Sequence, residues 1–157
     1  ILASFGEVLF PHYGKIARFD MDLYEYDKKG KKLGENYNGS FMLNYKEDYG
    51  WYHVDENMGW AGVIYLNPNP PANSGTGIYK WKGNNSIFYD PNDKKNMDLM
   101  WSQCNSHDNW ELVDEIGNVF NRCILYRGDL FHKPINYFGE NKENGRLIQV
   151  FFFNTFG

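Results

Sequence analysis

At 157 residues and 18.5 kDa the chain has room for one domain around one core. Hydrophobic residues at 42% and charged residues at 23% exclude a disordered chain, and 16 Lys+Arg against 20 Asp+Glu exclude a general nucleic-acid binder, which needs surplus cations to meet phosphates. No apolar run is long enough for a membrane span, and the two cysteines, Cys104 and Cys123, are too few for a disulfide scaffold and suit a reducing cytoplasm.

Aromatic residues reach 18%, alanine is scarce, and the 16 glycines sit among many asparagines. Ring side chains and turn residues in place of helix formers predict β structure. From Ile16 to Tyr26 apolar Ala17, Phe19, Met21 and Leu23 alternate with polar residues, the period of a half-buried strand. Lys28–Lys32 then places four cations around Gly30 and reads as a solvated hairpin turn. Further strands are expected at Ser40–Tyr45 and Trp51–Val54. The mostly apolar run Gly59–Asn67 predicts a central strand, and Gly75–Lys82 its hairpin partner across the Pro68–Ser74 loop, whose prolines stop any ladder. Asn92–Cys104 has helical spacing at Met97, Met100 and Trp101, which core packing explains. Strands follow at Trp110–Ile116 and Asn121–Tyr126, with a turn at Arg127–Asp129. Arg146–Asn154 closes the chain as a deeply buried strand. About eight antiparallel strands with one or two flanking helices give an all-β fold, a jelly-roll barrel or sandwich.

Three residues could share a metal ion. In an extended segment His53 and Asp55, two apart, project to one side. With 4 His in 157 residues such a pair arises by chance about 0.3 times, so it needs a third member. His132 supplies one, after a strand and tight turn and before Pro134. Two imidazoles and one carboxylate form a facial set that leaves coordination positions open and suits non-haem Fe(II), although zinc accepts the same ligands. Arg146 opens an almost wholly apolar strand, where a cation is costly unless an anion meets it, and its fork suits a carboxylate.

The ordered set Tyr45 … His53-x-Asp55 … Tyr65-Leu66-Asn67 … Gly75-Thr76-Gly77 … His132 … Arg146 resembles the Fe(II)/2-oxoglutarate-dependent dioxygenase superfamily, and within it the prolyl-hydroxylase branch. The resemblance covers about residues 40–157 and implies a double-stranded β-helix of jelly-roll or cupin type. It implies His53, Asp55 and His132 as iron ligands, and Arg146 as the anchor for the far carboxylate of 2-oxoglutarate, helped by the hydroxyls of Tyr65 and Tyr45. It implies dioxygen as the oxidant, hydroxylation of a C–H bond, and a peptidyl substrate. The sequence departs from the pattern in three places. Ile148 stands where many members carry Ser or Thr two residues after the arginine. A polar insert, Gly139–Gly145, lengthens the path from His132 to Arg146. The usual N-terminal helices are not evident before Ile16, so the expectation is a single domain over 1–157, trimmed at its N-terminus. Two readings compete with a dioxygenase: a non-catalytic jelly roll whose tryptophans stack sugars or another ligand, and a cupin-type metal enzyme without 2-oxoglutarate. Trp51, Tyr79 and Trp81 could line a mouth framed by the Pro68–Ser74 loop and the Gly83–Asn109 segment, with core packing as the equal alternative.

Overall fold

The computed structural model describes residues 38–55 and 58–155 in full and adds the backbone of strand residues 15–18, 24–26, 32–35 and 156. Among these residues the fold is mostly β, with ten strands and one α-helix. The strands are β1 (Lys15–Arg18), β2 (Tyr24–Tyr26), β3 (Lys32–Glu35), β4 (Phe41–Asn44), β5 (Trp60–Tyr65), β6 (Thr76–Trp81), β7 (Trp110–Ile116), β8 (Cys123–Arg127), β9 (His132–Pro134) and β10 (Arg146–Phe156). The helix α1 is Lys94–Ser102, and a 3-10 turn spans His107–Asn109.

Two antiparallel sheets carry the domain. The larger runs β1-β10-β5-β8, with β4 beside β1 on the same edge of β10. Its centre is the apolar pair β5 and β10, in register from Ile148 opposite Tyr65 to Phe153 opposite Trp60. Ala61, Val63 and Tyr65 of β5, Ile124 and Tyr126 of β8, and Ile148 and Val150 of β10 share one buried cluster, as period-two side chains on neighbouring strands must. The smaller sheet runs β7-β6-β9 and packs α1 and the aromatic core of Tyr52, Tyr79, Trp81, Met100, Trp110 and Phe131. Asp93 caps α1, its carboxylate accepting from the Asn96 amide. No described helix is long and apolar enough to cross a membrane.

Four expectations change. Within Ile16–Tyr26 the described parts go to different partners: β1 joins β10, whereas β2 pairs antiparallel with β3. The Lys-rich turn and the side chains of the alternating face lie outside the described residues. Trp51–Val54 forms no ladder, because its backbone donors go to different places, Tyr52 to Cys104 and His53 to His132, and the next residue, Asp55, donates to Gly128. β5 and β6 are not a hairpin. The proline-rich loop carries the chain from the large sheet to the small one, where β6 pairs with β7 and β9. Finally, β8 begins at Cys123 rather than Asn121, since Asn121 sits at φ 61° in a turn. Cys104 and Cys123 are both free thiols.

Candidate metal centre

His53, Asp55 and His132 converge: one ligand atom from each lies within 4.8 Å of the other two. His132 opens β9, opposite Ile78 of β6. His53 reaches it through a reciprocal bridge, each backbone N–H donating to the other's carbonyl at 3.1 and 2.9 Å. Asp55 is drawn in by its N–H bond to the Gly128 carbonyl at 2.8 Å. That approach requires glycine, because a Cβ at position 128 would lie 2.1 Å from the Met58 carbonyl oxygen and 3.0 Å from that of Asp55.

The second nitrogen of each imidazole fixes its tautomer. Nδ1 of His53 is 2.9 Å from the Trp51 carbonyl oxygen, and Nδ1 of His132 is 2.9 Å from that of Leu130. A carbonyl only accepts, so both Nδ1 atoms carry the proton and both Nε2 atoms keep a lone pair. The two rings stand 4.3 Å apart between centroids. Burial lowers the pKa of His132 to about 4, and burial together with His132 lowers that of His53 to about 4, so both are neutral at pH 7. Burial raises Asp55 to about 6, which leaves it ionised at pH 7. Its Oδ2 is 3.5 Å from Nε2 of His132 and has no hydrogen bond.

This donor set fits a divalent cation. Ligand atoms about 2.1 Å from a shared ion at right angles stand about 3 Å apart. Here one spacing is 3.5 Å and all three lie within 4.8 Å, so the side chains need close in only a little; the lone pairs are in place, and the orphaned carboxylate oxygen has a charge to satisfy.

Arg146, at the start of β10, is 1% exposed. Its Nε donates to the Ser74 carbonyl at 2.9 Å, while its Nη1 is buried without a partner. No carboxylate of the described residues pairs with it, and burial lowers its pKa. The rings of Tyr65 and Tyr137 flank the guanidinium, each 5.8 Å from it. The Tyr65 hydroxyl shares a 2.7 Å hydrogen bond with Thr76 Oγ1. Tyr45 has no described contact with Arg146; its backbone N–H bonds Asp48 and its ring lies beside Gly145. The second tyrosine at the guanidinium is therefore Tyr137, from the long path between His132 and Arg146.

Tyr126 is the other residue that sequence reading passed over. Its ring packs 4.7 Å from that of His132, and burial pushes its hydroxyl well above the usual tyrosine pKa. Of the aromatics considered for a mouth, Tyr79 and Trp81 are core. Trp51 is half exposed, with its ring 5.7 Å from His53. No protein-family model and no curated protein matches the chain.

Proposed function

We propose that the protein is an Fe(II)- and 2-oxoglutarate-dependent dioxygenase of prolyl-hydroxylase-like type, built on a double-stranded β-helix, which hydroxylates a C–H bond of a peptidyl substrate. One observation carries this reading: a neutral two-imidazole, one-carboxylate set and a buried guanidinium with an unused N–H are held by the same short run of β6 and its preceding loop. Ferrous iron and the keto acid, when bound, supply oxidative C–H hydroxylation by dioxygen, with succinate and carbon dioxide as co-products.

The chain's own residues do the rest. His53 and His132 hold iron through Nε2, and Asp55 offsets part of its charge. Arg146 uses Nη1 on the far carboxylate, a charge-assisted bond in a water-poor site. Tyr65 and Thr76 share their hydrogen bond beside the guanidinium, so one of the two hydroxyl protons stays free to donate toward the same carboxylate. Ile148, buried on the inner face, makes that wall apolar and leaves the polar contacts to the tyrosines. Half-exposed Trp51 beside His53 offers a flat ring to a substrate at the mouth. The acidic balance of the chain weighs against a nucleic-acid substrate, and the two free thiols suit a cytoplasmic protein.

Succinate release from 2-oxoglutarate, measured with Fe(II) under air across a panel of peptides, tests the reading. Turnover should need the metal and vanish in Asp55→Asn. A cupin-type enzyme would bind iron and ignore the keto acid, whereas a binding module would take up neither.

A further inference from the structure

Along β8 exposure alternates, with Cys123 and Arg127 outward and Ile124 and Tyr126 inward. Tyr126 stands opposite Ala61 of β5, a small neighbour that leaves its ring room to cross toward the other sheet. There it meets His132, with centroids 4.7 Å apart and planes tilted by 58°. The side chain is 8% exposed, yet its hydroxyl has no hydrogen-bond partner among the described residues. Buried phenols ordinarily find one. Tyr52 bonds His107 at 2.7 Å, and Tyr65 bonds Thr76 at 2.7 Å. Tyr126 also lies within electrostatic reach of both Asp55 and Arg146. Asp55 Oδ2 and Arg146 Nη1 are buried without a partner, and the Tyr126 ring, packed on His132, lies within reach of both residues.

We infer that Tyr126 is a ligand-binding residue whose hydroxyl donates a hydrogen bond to the 2-oxo dicarboxylate held between the metal triad and Arg146. This rests on the dioxygenase reading above. Tyr65 and Tyr137 flank the guanidinium end, whereas Tyr126 covers the stretch next to His132 and contributes a donor that no residue of that strand would supply if it were only core.

The test is titration of 2-oxoglutarate into Mn(II)-loaded protein, wild type and Tyr126→Phe, with Mn(II) affinity and thermal midpoint measured on both. The variant should keep its midpoint and its Mn(II) affinity, since it loses a hydroxyl that no protein group uses. Its affinity for 2-oxoglutarate should fall about tenfold or more, the scale of one hydrogen bond to a charged group. Equal 2-oxoglutarate affinity in the two proteins overturns the inference. Loss of Mn(II) together with the keto acid also overturns it, because Tyr126 would then support His132 instead. Failure of the wild-type Mn(II) protein to bind 2-oxoglutarate overturns the dioxygenase reading itself and takes this inference with it.

Discussion

Arg146 gives the sharpest prediction, because its two roles pull stability and binding in opposite directions. A guanidinium that is 1% exposed, bonded to the Ser74 carbonyl at 2.9 Å and the Gly75 carbonyl at 3.5 Å and facing no carboxylate among the described residues, is a cost to the empty fold. Replacing such a buried charge by an apolar side chain of similar length stabilises by about 1–4 kcal/mol. The lost Ser74 bond and the ring contacts with Tyr65 and Tyr137 take back about 1–2 kcal/mol. Arg146→Met should therefore change the stability of the ligand-free protein by about −1 to +3 kcal/mol, centred near +1 kcal/mol, a rise in thermal midpoint of about 2–4 °C at this chain length. The same variant should lose 2-oxoglutarate binding. Wild-type protein should gain about 2.7 kcal/mol from the keto acid at a hundred times its dissociation constant, and the variant nothing. Differential scanning calorimetry with and without 2-oxoglutarate reads both effects. A ligand-free variant several degrees less stable than wild type would make Arg146 a structural residue and remove the anchor.

Metal affinity should depend on pH with a defined slope. A raised carboxyl pKa means that protons compete first at Asp55: below about 6 the empty site holds one proton that the metal must displace, and the imidazoles join only below about 4. Mn(II) affinity should be nearly flat above about pH 7 and fall about fivefold from pH 6 to 5, approaching tenfold per unit below that; a fall well beyond tenfold between pH 6 and 5 would mean that the imidazoles titrate with the carboxyl. Gly75→Ala should be strongly destabilising, since its Cβ would lie 1.8 Å from the Ile116 carbonyl oxygen and 2.8 Å from the Asn118 amide. A loss of about 2–4 kcal/mol in urea unfolding is expected, and a variant within 0.5 kcal/mol or so of wild type would refute the close approach.

The His53 and Asp55 half of the candidate metal centre was legible because its signal is local. The two-residue spacing of His53 and Asp55 survives even though their segment is not a strand, as each extended residue is pinned by its own bond, to His132 and to Gly128. The strands at β5, β7 and β10 were legible from runs of apolar and β-favouring residues. Partners were not. Whether β6 returns beside β5 or crosses to another sheet depends on packing between segments far apart in sequence, and the prolines of the loop say only that the ladder stops. Tyr126 and Tyr137 were hidden for a different reason. A phenol on an inward-facing position looks like core until its hydroxyl is seen to lack a partner. The available clue at Tyr126 was its place two residues after Ile124, on the apolar face of a strand that soon leads to His132.

One strand and its lead-in hold both ends of the candidate site. The Ser74 carbonyl takes Nε of Arg146, and the Gly75 carbonyl takes the Ile135 amide. Thr76 holds the Tyr65 hydroxyl, and Ile78 sets the register of His132, which in turn bridges His53. From Ser74 to Ile78 is four steps, about 13 Å of extended chain. The separation of guanidinium and imidazoles is thus fixed by backbone, not by flexible side chains. Asn118 reinforces the near end, its amide donating to Ser74 Oγ at 3.1 Å and its N–H to the Ala72 carbonyl. Slipping β6 by one residue against β9 would turn His132 or its partners to the opposite face and break the set outright. Selection for ligand length follows from that rigidity. On the proposed reading, an acid shorter or longer than the one that spans both ends should have to give up either the metal or Arg146, since neither end can move toward it without unzipping the small sheet.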